Sequence, residues 1–344
     1  MLKVLVTGSS GYIGSHTVID LLQNGFEVIG LDDQSNSSSH AYERIKAITG
    51  QKIASYCLDI KNKKSLSTLF EQHQDIIAII HFAAYKSVDE SVSHPTLYYE
   101  NNISGMIHLL EMQVAFNIPY HIFSSSCTVY GNTQDLPVTE ETPWQTAESP
   151  YGLTKQIGES ILSNLTKLTT GLQSIALRYF NPAGAHPSGL LGEAAIKEVR
   201  NLVPLIMEVG KGKRPLLQVY GNDYPTRDGT NIRDYIHVMD LAHAHTLALK
   251  YLSAQASHGM EMEVFNLGTG TGVSILEAIQ SFEKVTGTPL AYKIANRRPG
   301  DVVAIYADYQ KASKLLDWHP RYTLDDIMSH AWHWEQNKAE FLSL

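Results

Sequence analysis

The chain has 344 residues, of which 43% are hydrophobic and 18% charged, and its formal net charge is -8 at pH 7. That length provides for one large domain or two of ordinary size. The acidic balance offers no basic surface for nucleic acid or an anionic membrane, and no stretch reaches the roughly 18 consecutive apolar residues of a membrane helix. These properties favour small molecules as binding partners.

The N-terminus and the cysteines indicate the cellular compartment. The chain begins with Met-Leu-Lys and runs into the short apolar stretch VLVTG, which lacks the apolar length and cleavage site of a secretory signal. Cys57 and Cys127 lie in different segments without CxxC spacing, so we predict two buried small residues and neither a disulfide nor a zinc site. We expect a cytoplasmic protein without a metal, and His186, His243 and His245 are interpreted as loop or helix-surface residues.

Short β-rich runs alternate with amphipathic stretches in the first 180 residues: KVLVTG, FEVIGLD, IASYCLD, AIIHFAA, YHIFSSS and SIALRYF. Alternation of this kind predicts βαβ units, and nearly continuous apolar runs are typical of parallel strands covered on both faces. The fold class is therefore α/β, a Rossmann-type doubly wound parallel sheet. After Phe180 the chain becomes rich in Gly and Pro, which predicts a domain of residues 1–180, with 234–268 able to return to it, and a smaller C-terminal α/β domain of residues 181–344.

The first strand ends in TGSSGYIGSH, which places Gly8, Gly11 and Gly14 between a strand and a helix. Glycines there allow a tight turn and close approach of the backbone to a pyrophosphate held at the helix N-terminus. Asp32 follows at the end of the second strand, where a carboxylate accepts hydrogen bonds from ribose hydroxyls and repels a 2′-phosphate. The pattern predicts NAD(H) in preference to NADP(H).

Two tyrosines precede a lysine by four residues, and their surroundings distinguish them. YERIK places Tyr42 before Lys46, and with 18 tyrosines in the chain one such pair is expected by chance. Tyr42 has no polar run upstream, and we interpret it as a surface helix residue.

Tyr151 and Lys155 stand in the segment SPYGLTK. Ser149 is a natural N-cap and proline a natural first helical residue, so the tyrosine and the lysine lie one turn apart on the same helix face. A nearby ammonium, the positive helix end and a cationic nicotinamide all favour a lowered tyrosine pKa, as a catalytic base requires. The preceding SSS run, which ends at Ser126, closes a strand at the carboxyl edge where open α/β sheets bind ligands.

Several segments together resemble the extended short-chain dehydrogenase/reductase family, and within it the UDP-glucose 4-epimerases: VLVTGSSGYIGSHT, FSSSCTVYG, SPYGLTK, LRYFNPAGAHPSG, YGNDYPTRDGTNIRDYIHVMDLA and FNLGTGTGVSILE. The resemblance implies an isomerase of galactose metabolism that holds NAD tightly, acts on a UDP-hexose and forms a homodimer. It implies that Tyr151 is the catalytic base, that Ser126 contacts the sugar 4-oxygen and that Lys155 binds the nicotinamide ribose.

The same resemblance implies the remaining site residues. Besides the glycines, Asp32, Tyr151 and Lys155, the cofactor groove would include Tyr12, Ile13, Asn36, Asp59, Ile60, Phe82, Ala83, Ala84, Lys86, Asn101, Ser124 and Tyr179. Besides Tyr151 and Ser126, the UDP-sugar would meet Lys86, Thr128, Phe180, Asn181, Asn201, Leu202, Tyr220, Arg233, Arg298, Asp301 and Ile305. Two arginines suit a diphosphate, because guanidinium groups bind phosphate oxygens bidentately.

Three alternatives accompany this interpretation. Ile305 falls where epimerases restricted to glucose and galactose resemble one another in having tyrosine and those accepting N-acetyl sugars have a small residue, so a UDP-N-acetylglucosamine 4-epimerase is one alternative. A nucleotide-sugar 4,6-dehydratase would carry an Asp-Glu pair where this chain has Cys127 and Thr128. A non-catalytic NAD(H)-sensing protein would be free to lose Tyr151, Lys155 or Ser126, and all three are present.

Overall fold

The computed structural model describes residues 2–194, 199–254, 261–298 and 301–342, with side chains as far as residue 338. Seven strands form its largest sheet: Lys3–Thr7 (β1), Glu27–Asp32 (β2), Ala54–Cys57 (β3), Ile76–His81 (β4), Tyr120–Ser126 (β5), Gln173–Tyr179 (β6) and Glu263–Leu267 (β11). Their order in the sheet is β11-β6-β5-β4-β1-β2-β3. Every neighbouring pair is parallel, which confirms the predicted Rossmann-type fold class.

Alternate residues of the central strands face two separate apolar cores. Val4 and Val6 of β1 belong to the core on one face, whereas Leu5 between them belongs to the core on the other face. Because successive side chains of a strand point to opposite faces, this separation requires apolar residues at consecutive positions. The continuous apolar runs of the sequence are thereby explained.

The helices are Tyr12–Gln23 (α1), His40–Thr49 (α2), Lys63–Gln72 (α3), Val88–Ser93 (α4), Pro95–Tyr99 (α5), Gly105–Ala115 (α6), Pro150–Leu168 (α7), Leu202–Gly210 (α8), Val238–Ala254 (α9), Ile275–Thr286 (α10), Gln310–Leu316 (α11) and Leu324–Leu342 (α12). A π-helical turn spans Glu100–Ser104, and a 3-10 turn spans Cys127–Tyr130. Helices α1 and α9 share one core with the sheet, and α3 and α6 share the other.

Short strands form the remaining sheets. They are Asn181–Ala183 (β7), Leu217–Tyr220 (β8), Ile232–Arg233 (β9), Tyr235–His237 (β10), Val273–Ser274 (β12), Tyr292–Ala295 (β13) and Ala304–Ile305 (β14). They pair as β10-β7, β12-β9-β14 and β13-β8. A core of its own joins α8, α10 and α12 to β8. Strand β11 lies in the large sheet beside β6, although the four strands between them in sequence, β7 to β10, belong to the smaller sheets.

Among the described residues, no helix combines the length and apolar character needed to cross a membrane. Within the same ranges, His, Cys, Asp and Glu side chains form no group of three or more that could hold a metal ion.

Candidate active site

The turn between β1 and α1 is shaped by its glycines. Gly8 has a φ of +70°, and a Cβ there would lie 2.9 Å from the backbone nitrogen of Ala83. A Cβ on Gly14 would lie 2.1 Å from the backbone oxygen of Gly8. Side chains are therefore excluded at both positions, because the turn packs closely on itself and on the segment that follows β4.

Helix α1 presents an end suited to an anion. Gly11 is its N-cap and provides no side-chain cap, and Tyr12 and Ile13 are the first two helical residues. The first N–H groups of an α-helix lack intrahelical acceptors and lie at the positive end of the helix dipole. The turn can accept a pyrophosphate, as the glycine pattern predicted.

Asp32 ends β2 with a buried carboxylate that already accepts three hydrogen bonds. The donors are the backbone nitrogen of Ser10 at 3.0 Å, the backbone nitrogen of Gln34 at 2.8 Å and the hydroxyl of Ser37 at 2.8 Å. Two carboxylate oxygens offer about four acceptor sites, so capacity for a ribose hydroxyl remains. The same bonds connect Asp32 to the glycine turn.

The other predicted cofactor residues lie on segments that follow the carboxyl ends of the central strands or, for Asn101, on a nearby helical turn. Asn36 follows β2, Asp59 and Ile60 follow β3, and Phe82, Ala83, Ala84 and Lys86 follow β4. Asn101 lies on the π-helical turn, Ser124 lies near the end of β5, and Tyr179 is the last residue of β6. The carboxyl edge of an open parallel sheet is where ligands bind in this architecture. The fold brings these segments to one edge of the sheet.

Ser126, Tyr151 and Lys155 are brought together by β5 and α7. Ser126 is the last residue of β5. Ser149 caps α7 by accepting a hydrogen bond of 3.1 Å from the backbone nitrogen of Gly152, so the helix begins where its sequence predicts. Lys155 Nζ lies 5.8 Å from the ring centroid of Tyr151. A hydroxyl, a phenol and an ammonium therefore share one location.

The pKa of Tyr151 differs from the expectation that its surroundings lower it. Burial raises the pKa of Tyr151 to about 12, while a hydrogen bond with Ser126 opposes this shift. Burial also lowers the pKa of Lys155 to about 8. The protein alone therefore keeps the phenol protonated near neutral pH, and deprotonation needs positive charge beyond that of Lys155 and the helix end.

The predicted UDP-sugar residues come from several segments beyond β5. Phe180 and Asn181 follow β6, Asn201 and Leu202 begin α8, Tyr220 ends β8, Arg233 ends β9, and Arg298, Asp301 and Ile305 lie before or in β14. The guanidinium of Arg298 lies 4.4 Å from the ring centroid of Tyr220. Arg233 Nη2 lies 3.7 Å from Asp301 Oδ1, and Ile305 pairs with Arg233 between β14 and β9. Two arginines are thus fixed by neighbours that also belong to the predicted site.

Two polar atoms of this region have unused hydrogen-bonding capacity. Among the described residues, the buried Thr128 Oγ1 and Asn181 Oδ1 have no hydrogen-bond partner. Leaving such an atom unpaired costs about 1–3 kcal/mol, so buried atoms of this kind are usually satisfied by a ligand or water. Both residues are among those predicted to contact the UDP-sugar.

Comparisons with known proteins identify the family of this chain. A UDP-glucose 4-epimerase of Bacillus subtilis (strain 168) is 44% identical over 339 residues, which cover 98% of each chain. The crystal structure of UDP-glucose 4-epimerase from Bifidobacterium longum in complex with NAD+ and UDP superposes with a TM-score of 0.93 at 43% identity, covering 98% of this chain and 99% of that one. This chain belongs to the UDP-glucose 4-epimerase family.

A further solved structure and a family model extend the comparison. UDP-glucose 4-epimerase from Stenotrophomonas maltophila, with bound NAD and formylated UDP-arabinopyranose, gives a TM-score of 0.95 at 42% identity and 99% coverage of both chains. The family model described as GDP-mannose 4,6 dehydratase matches residues 5–331. That description names a dehydratase, but Cys127 and Thr128 supply no carboxylate after Ser126. The epimerase relatives therefore describe this chain better.

Three interpretations of single residues were wrong. Tyr42 is half-buried, and its hydroxyl lies 2.7 Å from Ser9 Oγ in the glycine turn. Cys57 is exposed, at the edge strand β3, whereas Cys127 is buried as predicted. His245 is fully buried on α9, not on the helix surface. Each error concerns a contact or an exposure that depends on a neighbouring strand or helix.

His245 supports a predicted cofactor residue. Its Nδ1 donates to the backbone oxygen of Leu241 at 2.8 Å, and its Nε2 lies 2.5 Å from the hydroxyl of Tyr179. Burial lowers the pKa of His245 to about 4, so the imidazole is neutral and Nε2 accepts from Tyr179. No local pattern in the sequence signals this pair, whose members are 66 positions apart.

A buried ion pair next to the proposed catalytic helix α7 was also not predicted from the sequence. Arg178 donates to Glu159 through Nε at 2.9 Å and through Nη2 at 2.7 Å, and Ser125 donates to the same carboxylate. The pair joins β6 to α7, the helix that carries Tyr151 and Lys155. The signal available in the sequence was a single arginine in a mostly apolar strand, β6, and a glutamate in the preceding helix, α7.

Proposed function

We propose that this protein catalyses reversible, NAD-dependent epimerisation at C4 of UDP-galactose and UDP-glucose through a 4-keto intermediate. The observation that carries the proposal is the grouping of Ser126, Tyr151 and Lys155 at the carboxyl end of β5, in the same sheet whose strand β1 leads into the glycine turn. The full-length similarity to UDP-glucose 4-epimerases supports it. The enzyme class is isomerase, and galactose metabolism is the predicted pathway.

The described residues fit NAD. The N-terminus of α1, which Gly11 leaves without a side-chain cap, suits a pyrophosphate, and Asp32 is available to a ribose. When bound, NAD would supply the group that takes up a hydride from the sugar and gives it back. A solved relative carries NAD, and we propose that this chain holds it tightly because a released reduced cofactor would strand the keto sugar.

Tyr151 acts as the base in the proposed reaction. It removes the proton of the sugar 4-hydroxyl, and Ser126 stabilises the developing charge on that oxygen. Burial raises the pKa of Tyr151 to about 12 although a hydrogen bond with Ser126 lowers it, so positive charge beyond that of Lys155 must lower it in the reaction. Lys155 is mostly protonated at neutral pH, since its pKa is about 8, and its ammonium lies 5.8 Å from the ring centroid of Tyr151.

The UDP moiety serves as the anchor while the sugar turns. We propose that Arg233 and Arg298 bind the diphosphate, and that Thr128 and Asn181 use their unpaired oxygens toward the sugar. The keto sugar then rotates about its link to the diphosphate and takes the hydride back on its opposite face. The net reaction is redox-neutral and inverts one carbon.

Incubation of the purified protein with UDP-galactose, UDP-glucose and their N-acetyl forms, without added NAD, tests the function. Product identification by chromatography distinguishes the candidates. Interconversion of the plain sugars supports the proposal, a 4-keto-6-deoxy product indicates a dehydratase, and the absence of any product supports a non-catalytic NAD(H)-binding protein. Activity on N-acetyl sugars is a second candidate because Ile305 is smaller than tyrosine.

We further propose a homodimer in the cytoplasm. Apolar side chains are exposed on three helices: Val88 and Val92 on α4, Ile107 and Val114 on α6, and Leu153 on α7. Exposed apolar side chains of this kind suit an interface. Sedimentation of the purified protein measures its oligomeric state.

We assign residues 1–180, with β11, to NAD binding and residues 181–344 chiefly to UDP-sugar binding.

A further inference from the structure

Tyr42 contacts the glycine turn from the first turn of α2. Its hydroxyl lies 2.7 Å from Ser9 Oγ, and its ring packs against the core that contains α1 and α9. Ser9 is fully buried, between Gly8 and the N-cap Gly11. A residue far from the turn in sequence therefore touches the segment proposed to hold the pyrophosphate.

Strand β2 provides the space for this contact. A Cβ on Gly30 would lie 2.7 Å from Ser9 Oγ, so a larger residue at that position would displace the serine side chain. The hydroxyl of Ser9 is thus confined between β2 and α2.

A second connection runs from the same segment to the next residue of the turn. Ser37 donates to Asp32 Oδ1 at 2.8 Å, and Ser10 Oγ lies 2.8 Å from Ser37 Oγ. A hydroxyl has one proton, so Ser37, which gives its proton to Asp32, accepts from Ser10. The segment that contains Ser37 and Tyr42 therefore holds two consecutive residues of the glycine turn.

We propose that Tyr42 is a positioning residue for NAD, acting through Ser9 without contacting the cofactor. This inference rests on the NAD part of the proposed function. A turn held in its binding conformation avoids the entropic cost of ordering at the moment of binding, which increases affinity. Loss of one neutral hydrogen bond changes an equilibrium constant by about 2- to 12-fold.

The test measures release of NAD from purified holoprotein. Free nucleotide is removed on a desalting column at intervals, and the NAD retained is quantified by chromatography after denaturation. Tyr42→Phe and Ser9→Ala are each expected to accelerate release by about 2- to 12-fold. The double variant is expected to release NAD no faster than the faster single variant, because both substitutions remove the same hydrogen bond.

Controls separate positioning from general stability. Tyr251→Phe alters a half-buried tyrosine of α9 that packs on the same core, and it should leave release unchanged. Ser9→Gly serves as the second variant if Ser9→Ala fails to fold. Release at the parent rate in Tyr42→Phe, or effects of the two substitutions that multiply, would overturn the inference. A parent protein that retains no NAD would overturn the proposed function as well.

Discussion

Lys155 donates a hydrogen bond of 2.6 Å from Nζ to the backbone oxygen of Ser124, two residues before Ser126. This bond holds α7 against the end of β5, so the helix that carries Tyr151 and the strand that carries Ser126 keep a fixed relation. The ammonium also lies 4.9 Å from the ring centroid of Phe123. One buried lysine thus joins the strand that carries Ser126 to the helix that carries the proposed base.

Tyr151→Phe is expected to remove most turnover while NAD and UDP-sugar binding persist. The substitution deletes the hydroxyl that carries the proton and keeps the ring, and positioned acid-base groups contribute about 10²- to 10⁴-fold to rate. Steady-state kinetics and retained NAD measure the two effects. Tyr251→Phe on α9 is the matched control, because Tyr42 contacts the glycine turn. A loss of less than about tenfold would contradict the role of base.

Asp32→Ala is expected to weaken retention of NAD. Hydrogen bonds to a charged group contribute about 1.5–3 kcal/mol, which corresponds to roughly 10- to 100-fold in affinity. The adjacent Asp33 is exposed and its carboxylate bonds only to Ser35 among the described contacts, so Asp33→Ala is the control. The role of Asp32 is refuted if the purified variant carries as much NAD as the parent.

The fold and the glycine turn were predictable because their signals are local. Strand β1, the glycines and Asp32 occupy one continuous stretch, and the cap at Ser149 precedes its helix directly. Their geometry follows from backbone rules that apply within a few residues.

The contacts of Tyr42, Cys57 and His245 were not predictable in this way. Tyr42 meets Ser9 across 33 positions, and His245 meets Tyr179 across 66. Cys57 is exposed because β3 is the outermost strand of the large sheet, and strand order is not visible in a single strand's sequence. Such features depend on which elements pack together, and a residue's position within its own strand or helix does not reveal that.

Acidification is expected to destabilise the protein partly through His121. Burial lowers the pKa of His121 to about 3, and its Nδ1 lies 2.6 Å from Gln113 Oε1. Below the ordinary histidine pKa of about 6.5 the unfolded chain binds a proton that the native protein rejects, so stability is lost as pH falls from that value toward about 3.

The measurement is urea unfolding at a series of pH values. His121→Gln should reduce the slope of the free energy of unfolding against pH by up to about 1.4 kcal/mol per unit between about pH 6 and 4.5. His94→Gln, at an exposed position, is the control. Parallel curves for the parent and His121→Gln would show that His121 does not carry this effect.

Ile305 is the proposed determinant of sugar size. Its side chain is 6% exposed and packs in an apolar cluster with Cys127, which follows Ser126, and with Phe180, a predicted sugar contact. An acetamido group at C2 needs added volume on this wall. Isoleucine is smaller than tyrosine and larger than cysteine, and its β-branch holds it in a restricted rotamer.

We expect efficient turnover of the plain UDP-hexoses, weak turnover of UDP-N-acetylglucosamine, and an increase in the latter for Ile305→Cys. Each methylene of pocket size changes discrimination by about 10- to 200-fold, so the response should be graded. The measured quantity is the ratio of kcat/KM for the two sugar classes. Val302→Ala is the control: it removes packing from a partly buried residue of the same cluster, and so measures the effect of weaker packing at a site other than residue 305. If the parent converts both classes equally, or Ile305→Cys leaves the ratio unchanged, the size limit must come from another residue, because a side chain that bounded the acetamido group would change the ratio when shortened.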